Sequence, residues 1–406
     1  MSERPSLQEF AAKRFRLAGR SILDQNNPWF CPTDRLRAEI EARGESLISF
    51  AHYDYLGLSG HEAIRLATSA ALDQFGTGAL GSRLVGGERS IHADFENAIA
   101  SFVGTEASLV LVSGYLTNVS IISHLLGRND LLIIDELSHN SIVSGAKATK
   151  ATLLKFRHND FDNLQHLLRQ NREYFHNCLI VVEGLYSMDG DLPDLPKLLA
   201  IKEQEKCWLL VDEAHSIGTL GDHGRGISEY LGEDPQRIDL IVGTLSKSLV
   251  SCGGFLCGRK AIIDWLRYTL GGFVYSVGLS PVITAAAHTA LNIIVEQPQR
   301  VAKLQANARH FWLQARASGL DTGGAIGLAV VPILFSDFPS TFSASEALLK
   351  ANIFAPPIVH VGVPKDAPRI RFFLSAKHEP EEIDQAIAVL AMLSSSRSMS
   401  PLTADA

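Results

Sequence analysis

The 406-residue chain has only five cysteines (Cys31, Cys178, Cys207, Cys252 and Cys257), none of them in a CxxC pair or at metal-ligand spacing. An odd, scattered set makes neither a disulfide framework nor a metal centre, so no metal is expected and a reducing cytoplasm is the implied location. No apolar run is long enough to form a transmembrane segment. The first residues, MSERPSLQEFAAKRFRLAGR, interleave charges and contain no apolar stretch of the signal-peptide type. Positive charge is not in excess either. With 37 lysines and arginines against 44 aspartates and glutamates, the formal net charge is −7, which argues against a nucleic-acid partner or an anionic membrane surface. Any phosphate group must therefore be held locally. Apolar residues are plentiful, at 46% of the chain, enough for a large core divided over two domains.

Residues 1–46 read as an amphipathic, mainly helical arm of the kind that packs on a second subunit. Over 47–285, short apolar strand-like runs alternate with helical segments, the pattern of a βαβ series and a mainly parallel sheet sandwiched by helices. Residues 286–394 change character. One long helical run up to residue 317 precedes short strands near 328–334 and 369–373 and then the helix EPEEIDQAIAVLAML, which suggests a smaller C-terminal α+β domain. The small polar residues of 395–406 read as a disordered tail.

In open α/β sheets, ligands bind where parallel strands end. Five apolar runs terminate in reactive or small residues: SLVLV before Ser113, Gly114 and Tyr115; LLII before Asp135; LIVV before Glu183; WLLV before Asp212 and His215; LIVG before Thr244, Ser246 and Lys247. A lysine is ordinarily a solvated surface group. Lys247 instead follows an apolar strand and precedes the small-residue stretch SCGGF, and a lysine withdrawn from water loses basicity and can form an imine with an aldehyde. Thr244 and Ser246 offer hydroxyls suited to a phosphate. Asp212 could simply cap a turn, but a carboxylate at the end of so apolar a strand is also what holds a pyridinium nitrogen protonated. The backbone N–H groups of Gly114 and Tyr115 begin a helix and could bind a phosphate. His139, which follows another strand of the same sheet, is either a satisfied structural histidine or a stacking partner for a ring.

Taken together, these residues resemble the α-oxoamine synthases, fold-type I enzymes dependent on pyridoxal 5'-phosphate (PLP). This family includes serine palmitoyltransferase, 8-amino-7-oxononanoate synthase, 5-aminolevulinate synthase and 2-amino-3-ketobutyrate CoA ligase. The motifs that carry the resemblance are DYLGL (54–58), GTGALGSRLVGG (76–87), HADFENAIASFVG (92–104), SGYLTN (113–118), DELSHNS (135–141), FRHND (156–160), EGLYSMDGD (183–191), VDEAHSIGTLGDHGRG (211–226), GTLSKS (243–248) and RIRFFLSAKH (369–378). The resemblance implies that Lys247 is the Schiff-base lysine, that Asp212 pairs with the pyridine nitrogen, that His215 and Ser187 lie near the ring oxygen and that His139 stacks on the ring. It also places Gly114, Tyr115, Thr244 and Ser246 at the phosphate, joined by Ser276 from the other subunit of a homodimer. Arg371 would bind the amino-acid carboxylate, with Tyr53 and Asp54 nearby, while Arg369 on the same strand is the more structural arginine.

The activity implied is a decarboxylative condensation of an amino acid with an acyl-CoA or acyl carrier protein thioester, giving an α-amino ketone. The Tyr53, Asp54 pair replaces the family's more common Asn-Asp or Asn-Asn. Together with FGTGALGSR, FRHND and GTLSKS, it points toward the serine palmitoyltransferase branch and hence to L-serine with a long-chain acyl group. The alternatives are an 8-amino-7-oxononanoate synthase-like enzyme using alanine or glycine, a fold-type I aminotransferase or aldolase, and a non-catalytic partner subunit. Lys247, Asp212 and His215 weigh against the last of these.

Overall fold

The computed structural model describes residues 6–17, 29, 33, 39–42, 45–358 and 367–398. Cys31 and residues 399–406 lie outside that set.

All five apolar runs become strands of one seven-stranded sheet. Its spatial order is Ala107–Leu111, Gly254–Gly258, Leu240–Thr244, Trp208–Asp212, Cys178–Glu183, Leu131–Asp135 and Thr152–Phe156. The last five of these pair in parallel. Gly254–Gly258 runs antiparallel to both of its neighbours, so six strands share one direction and their carboxyl ends lie along one edge. That antiparallel strand and Thr152–Phe156 are the two members that the five runs did not predict.

Alternate residues of one strand enter different cores. Val110, Leu131, Ile133 and Leu209 join the larger apolar cluster, while Leu109, Leu111, Leu132, Ile134 and Leu210 join the second. A sheet apolar on both faces must be covered on both. Helices Gly114–Leu125, Asn140–Ala148 and Lys260–Thr269 contribute to the second cluster, and Ser90–Val103, Phe161–Asn171, Leu195–Gln204 and Pro281–Glu296 to the larger one. The larger cluster continues without a break into Phe311, Val330, Ile370 and Phe372. Residues on both sides of position 285 thus share one core.

Three expectations need adjustment. Among the described residues of the arm, the helix is Leu7–Leu17; Glu39–Ala42 and Glu45–Ser49 form an antiparallel pair, and the second strand is joined in parallel by Ile353–Phe354. The long run ending at residue 317 is two helices, Pro281–Glu296 and Gln299–Ala317. Pro298 removes an N–H and excludes helical geometry from Gln297, whose φ and ψ are −127 and 61. The final helix, Pro380–Ser398, runs past position 395, where a disordered tail was expected to begin.

Phe311 links the N-terminal, C-terminal and sheet portions. It is fully buried, with its ring centroid 6.1 Å from Phe50 and 4.7 Å from Phe372. Replacing it with alanine should lower stability by about 3–5 kcal/mol, read from the midpoint of denaturant unfolding at unchanged m.

Candidate active site

The carboxyl edge of the sheet carries the predicted polar residues, and the loops after each strand turn them toward one another. Asp212 ends its strand directly beside Glu183 in register and is buried. Its Oδ1 accepts from the N–H of Ala214 at 3.0 Å and its Oδ2 from Asn118 Nδ2 at 2.6 Å. The same Asn118 amide donates to Ser141 Oγ at 3.0 Å, and that hydroxyl meets His139 Nδ1 at 2.7 Å. His139 caps helix Asn140–Ala148, and its own N–H donates to Glu183 Oε1 at 2.6 Å. The histidine ring is therefore held from both its backbone and its side chain.

Lys247 reaches into this group, with its Nζ 5.7 Å from the Tyr53 ring centroid. Loss of hydration pushes its amine down to about 8, despite the opposing pull of the Asp212 and Glu183 carboxylates. Burial also raises Glu183 to about 8, with the Asp212 charge adding to the effect. His215 falls well below its ordinary range, first through burial and then through the nearby Lys247, Arg371 and His139. His139 is lowered by burial, only partly offset by Asp212. Near neutral pH both histidines and Glu183 are thus uncharged, and Asp212 faces the cations Lys247 and Arg371.

His215 Nδ1 meets the Tyr55 hydroxyl at 2.7 Å, and its ring lies parallel to Phe373 at 6.2 Å. Arg371, buried on the strand Arg369–Phe373, stacks on Phe373 at 4.3 Å and donates from Nη1 to the Ser187 carbonyl at 2.8 Å. Its Nε is buried without a partner. Arg369 points to the same face but is spent on Asp189 at 2.7 Å and on the Met188 carbonyl, the structural role expected of it. Tyr53, 37% exposed, packs edge-on against His215 and Phe373 and remains open to a ligand.

Beside this cluster is a small polar cradle. Ser113 Oγ accepts from the N–H of Leu116 and starts helix Gly114–Leu125, whose first-turn N–H groups have no intrahelical acceptor. A Cβ on Gly114 would lie 3.0 Å from the Thr244 side chain, so only glycine lets the helix start approach Thr244 so closely. Thr244 Oγ1 and Ser246 Oγ are 2.8 Å apart. The Tyr115 phenol is engaged by Ser144 at 2.7 Å and by Asn140, and its ring stands edge-on to His139.

Two predicted residues are not brought to the cluster. The Asp54 carboxylate closes its own turn, accepting from the N–H groups of Leu58 at 2.7 Å and Ser59 at 3.1 Å, which corrects its assignment to substrate binding. Ser276 sits between the exposed Tyr275 and Val277, and none of the interactions that join the cluster within one chain involves it. Sequence reasoning passed over Tyr55, Asn118, Ser141 and Phe373 as individual residues, and named Glu183 only as a strand end. All five fall inside the motifs quoted above, which was the available signal. Among the described residues, no group of three or more His, Cys, Asp or Glu is arranged to hold a metal, and no helix is long and apolar enough to cross a membrane.

With its amine near 8, Lys247 is about half neutral at pH 8, against on the order of 0.4% for an ordinary lysine. A small aldehyde with cyanoborohydride at that pH should therefore modify Lys247 first, as seen by peptide mass mapping of the apoprotein.

A family model described as aminotransferase class I and II matches residues 45–390. An 8-amino-7-oxononanoate synthase of Treponema denticola is 35% identical over 352 residues, 87% of this chain and 89% of that protein. A Trichormus variabilis protein provisionally named for the same activity is 40% identical over 363 residues, 89% of this chain and 92% of its own. A serine palmitoyltransferase solved with PLP is 29% identical and superposes with a TM-score of 0.90 over 98% of this chain and all of that one. With the family model spanning the whole sheet and relatives of this kind aligned almost end to end, the chain belongs to the α-oxoamine synthases, PLP-dependent acyltransferases of fold type I.

Proposed function

We propose that this chain condenses a small L-amino acid, best supported as alanine, with an acyl thioester to give an α-amino ketone, CO2 and free thiol. The observation that carries this reading is Lys247, an amine made weakly basic by burial, facing Asp212 and the under-used guanidinium of Arg371. The residues fit PLP. The Gly114–Thr244 cradle has the close approach and free donors that a phosphate needs, and Asp212 is oriented by two donors as a pyridine-nitrogen partner must be. When bound, PLP supplies an aldehyde for the lysine and a protonated ring that withdraws electrons from the amino acid's Cα.

The chain's own groups do the rest. Lys247 is the amine that would bond the aldehyde and the base that would take the substrate's Cα proton. Asp212, held by Asn118 and Ala214, would pair with the ring nitrogen. His139, fixed by Ser141 and Glu183, would pack on the ring face. His215, with Nδ1 committed to Tyr55, would leave Nε2 for the ring oxygen, with Ser187 alongside. The N–H groups of Gly114 and Tyr115 and the hydroxyls of Thr244 and Ser246 would hold the phosphate. Arg371 binds the substrate carboxylate through the donor left unpaired, and Tyr53 flanks that position.

The choice of alanine follows from the relatives' named product. In 8-amino-7-oxononanoate, carbons 8 and 9 with the amine are what alanine leaves after losing CO2, and carbons 1–7 are a seven-carbon acyl group ending in a carboxylate. L-Serine with a long-chain acyl group is the second reading, favoured by the TM-score of 0.90 to a serine palmitoyltransferase and by Tyr53. The sequence relatives outweigh it, since a shared fold does not choose a substrate.

A homodimer is part of the proposal. Leu80, Val85, Tyr275 and Val277 are exposed by 88%, 85%, 90% and 53%. They form one face because Gly278 donates to the Gly81 carbonyl and Ser82 Oγ to the Val274 carbonyl. An exposed apolar patch of this kind marks an interface, and it would carry Ser276 toward the phosphate of a second copy. We place the enzyme in the cytoplasm; the four described cysteines are free.

Two measurements test the reading. Lys247→Ala should cut turnover by about a thousandfold or more, because covalent and general-base roles vanish together; native-rate turnover would sink the assignment. A matrix of alanine, glycine and serine against a seven-carbon dicarboxylic and a palmitoyl thioester, followed by thiol release and product mass, should show alanine with the seven-carbon thioester as the best pair.

A further inference from the structure

The histidine of the FRHND motif joins a partly buried charge cluster that the chemistry above does not use. His158 Nδ1 lies 3.0 and 3.1 Å from the two oxygens of Asp135, and Nε2 lies 2.9 Å from Asp191 Oδ2. Both ring nitrogens face carboxylates, so both carry hydrogen and the ring is an imidazolium. Burial opposes that charge, but the two carboxylates outweigh it and hold His158 up to about 10. Its ring also stands edge-on to Tyr186 at 4.5 Å.

The two ends of this bridge belong to different structures. Asp135 ends a sheet strand and is fully buried, further anchored by the N–H groups of Leu137 and Asn159. Asp191 closes the 186–191 turn: its carbonyl accepts from the N–H of Tyr186 at 2.9 Å, and the N–H of Gly190 returns to the Tyr186 carbonyl at 3.0 Å. On the far side, a Cβ on Gly190, at φ +71, would lie 2.2 Å from the Val330 carbonyl, so the turn is pressed against the strand pair that carries Arg371. Ser187, inside the same turn, supplies the carbonyl that holds Arg371 Nη1, and Met188 Sδ lies 3.3 Å from that nitrogen.

We propose that His158 is a positioning residue for the amino-acid carboxylate: clamped between Asp135 and Asp191, it fixes the 186–191 turn and, through the Ser187 carbonyl on that turn, aims Arg371. This rests on the reading of Arg371 as the carboxylate-binding residue. His158 itself touches neither substrate nor cofactor. Its effect is to stop the Ser187 carbonyl from drifting, so that one Arg371 nitrogen is committed and the unpaired Nε is presented in a single orientation.

The test uses the holoenzyme with its best amino acid and thioester. His158→Asn should raise KM for the amino acid about tenfold, the scale of one modest positioning interaction, with kcat, KM for the thioester and bound PLP little changed. Asp191→Asn keeps the shape of the turn and should do the same; it carries the test if His158→Asn does not fold. Combining His158→Asn with Arg371→Lys should raise KM no more than Arg371→Lys alone, within about twofold, because one acts through the other. If His158→Asn only lowers the melting temperature while Arg371→Lys raises KM, or if the two effects multiply, the clamp is overturned and the reading of Arg371 stands. If Arg371→Lys leaves KM unchanged, that reading fails and the clamp's role in binding fails with it.

Discussion

The site depends on taking several ionisable groups out of water together at the ends of parallel strands. Lys247, Asp212 and Glu183 share one partly dry edge, faced by Arg371 from the separate strand Arg369–Phe373, and desolvation penalises charge on each of them. The arrangement is tolerable because the penalties are distributed unequally. Glu183, raised to about 8, and the two lowered histidines give up their charge near neutral pH, while Asp212 is given two hydrogen-bond donors. What remains is the Asp212 carboxyl group beside two cationic side chains. Such a cluster is incomplete until further negative charge arrives, and a phosphate and an amino-acid carboxylate are groups of the right sign.

The second consequence is rigidity. A reactive amine and a carboxylate partner are useful only if their separation is fixed, and here the groups around them are held mostly by residues distant in sequence. Tyr55 holds His215, Asn118 holds Asp212, Ser141 and Glu183 hold His139, and Ser187 holds Arg371. Apolar packing closes the frame. Phe373 lies beneath His215 and Arg371 at once, and it belongs to the strand pair packed into the same core as the large sheet. Arg371 and Lys247 are therefore referenced to one apolar cluster, even though more than a hundred residues separate them.

Substrate choice is decided by less of the structure than reaction type is. The proposed condensation draws on Lys247, Asp212, His139 and His215, which are present whatever the acyl group. Between a seven-carbon dicarboxylic acyl and a long aliphatic one, the difference lies in residues that line the acyl path and in the face a second copy would cover. The resemblance to the serine palmitoyltransferase branch rested on local motifs such as GTLSKS, which sit on the cofactor side and carry little information about the acyl tail. Relatives aligned over nearly the whole chain integrate many more positions, and those reported above carry the name 8-amino-7-oxononanoate synthase.

What the amino-acid sequence determined by itself was local. Apolar runs broken by polar residues identify five strands and the edge at which they end, because strands buried on both faces read as short continuous apolar runs. The placement of Lys247, Asp212, His139 and His215 on that edge follows from their position one to five residues past such a run. Tertiary structure decided which of the neighbouring polar groups serve the site and which serve the fold. Asp54 turned out to cap its own turn, while Tyr55 next to it reaches a histidine 160 residues away. Gly254–Gly258 entered the sheet antiparallel, and His158 bridged a strand end to a distant turn. These outcomes depend on loop closure and register between segments far apart in the chain, where a short hydrogen bond or a close glycine contact has no counterpart in local composition.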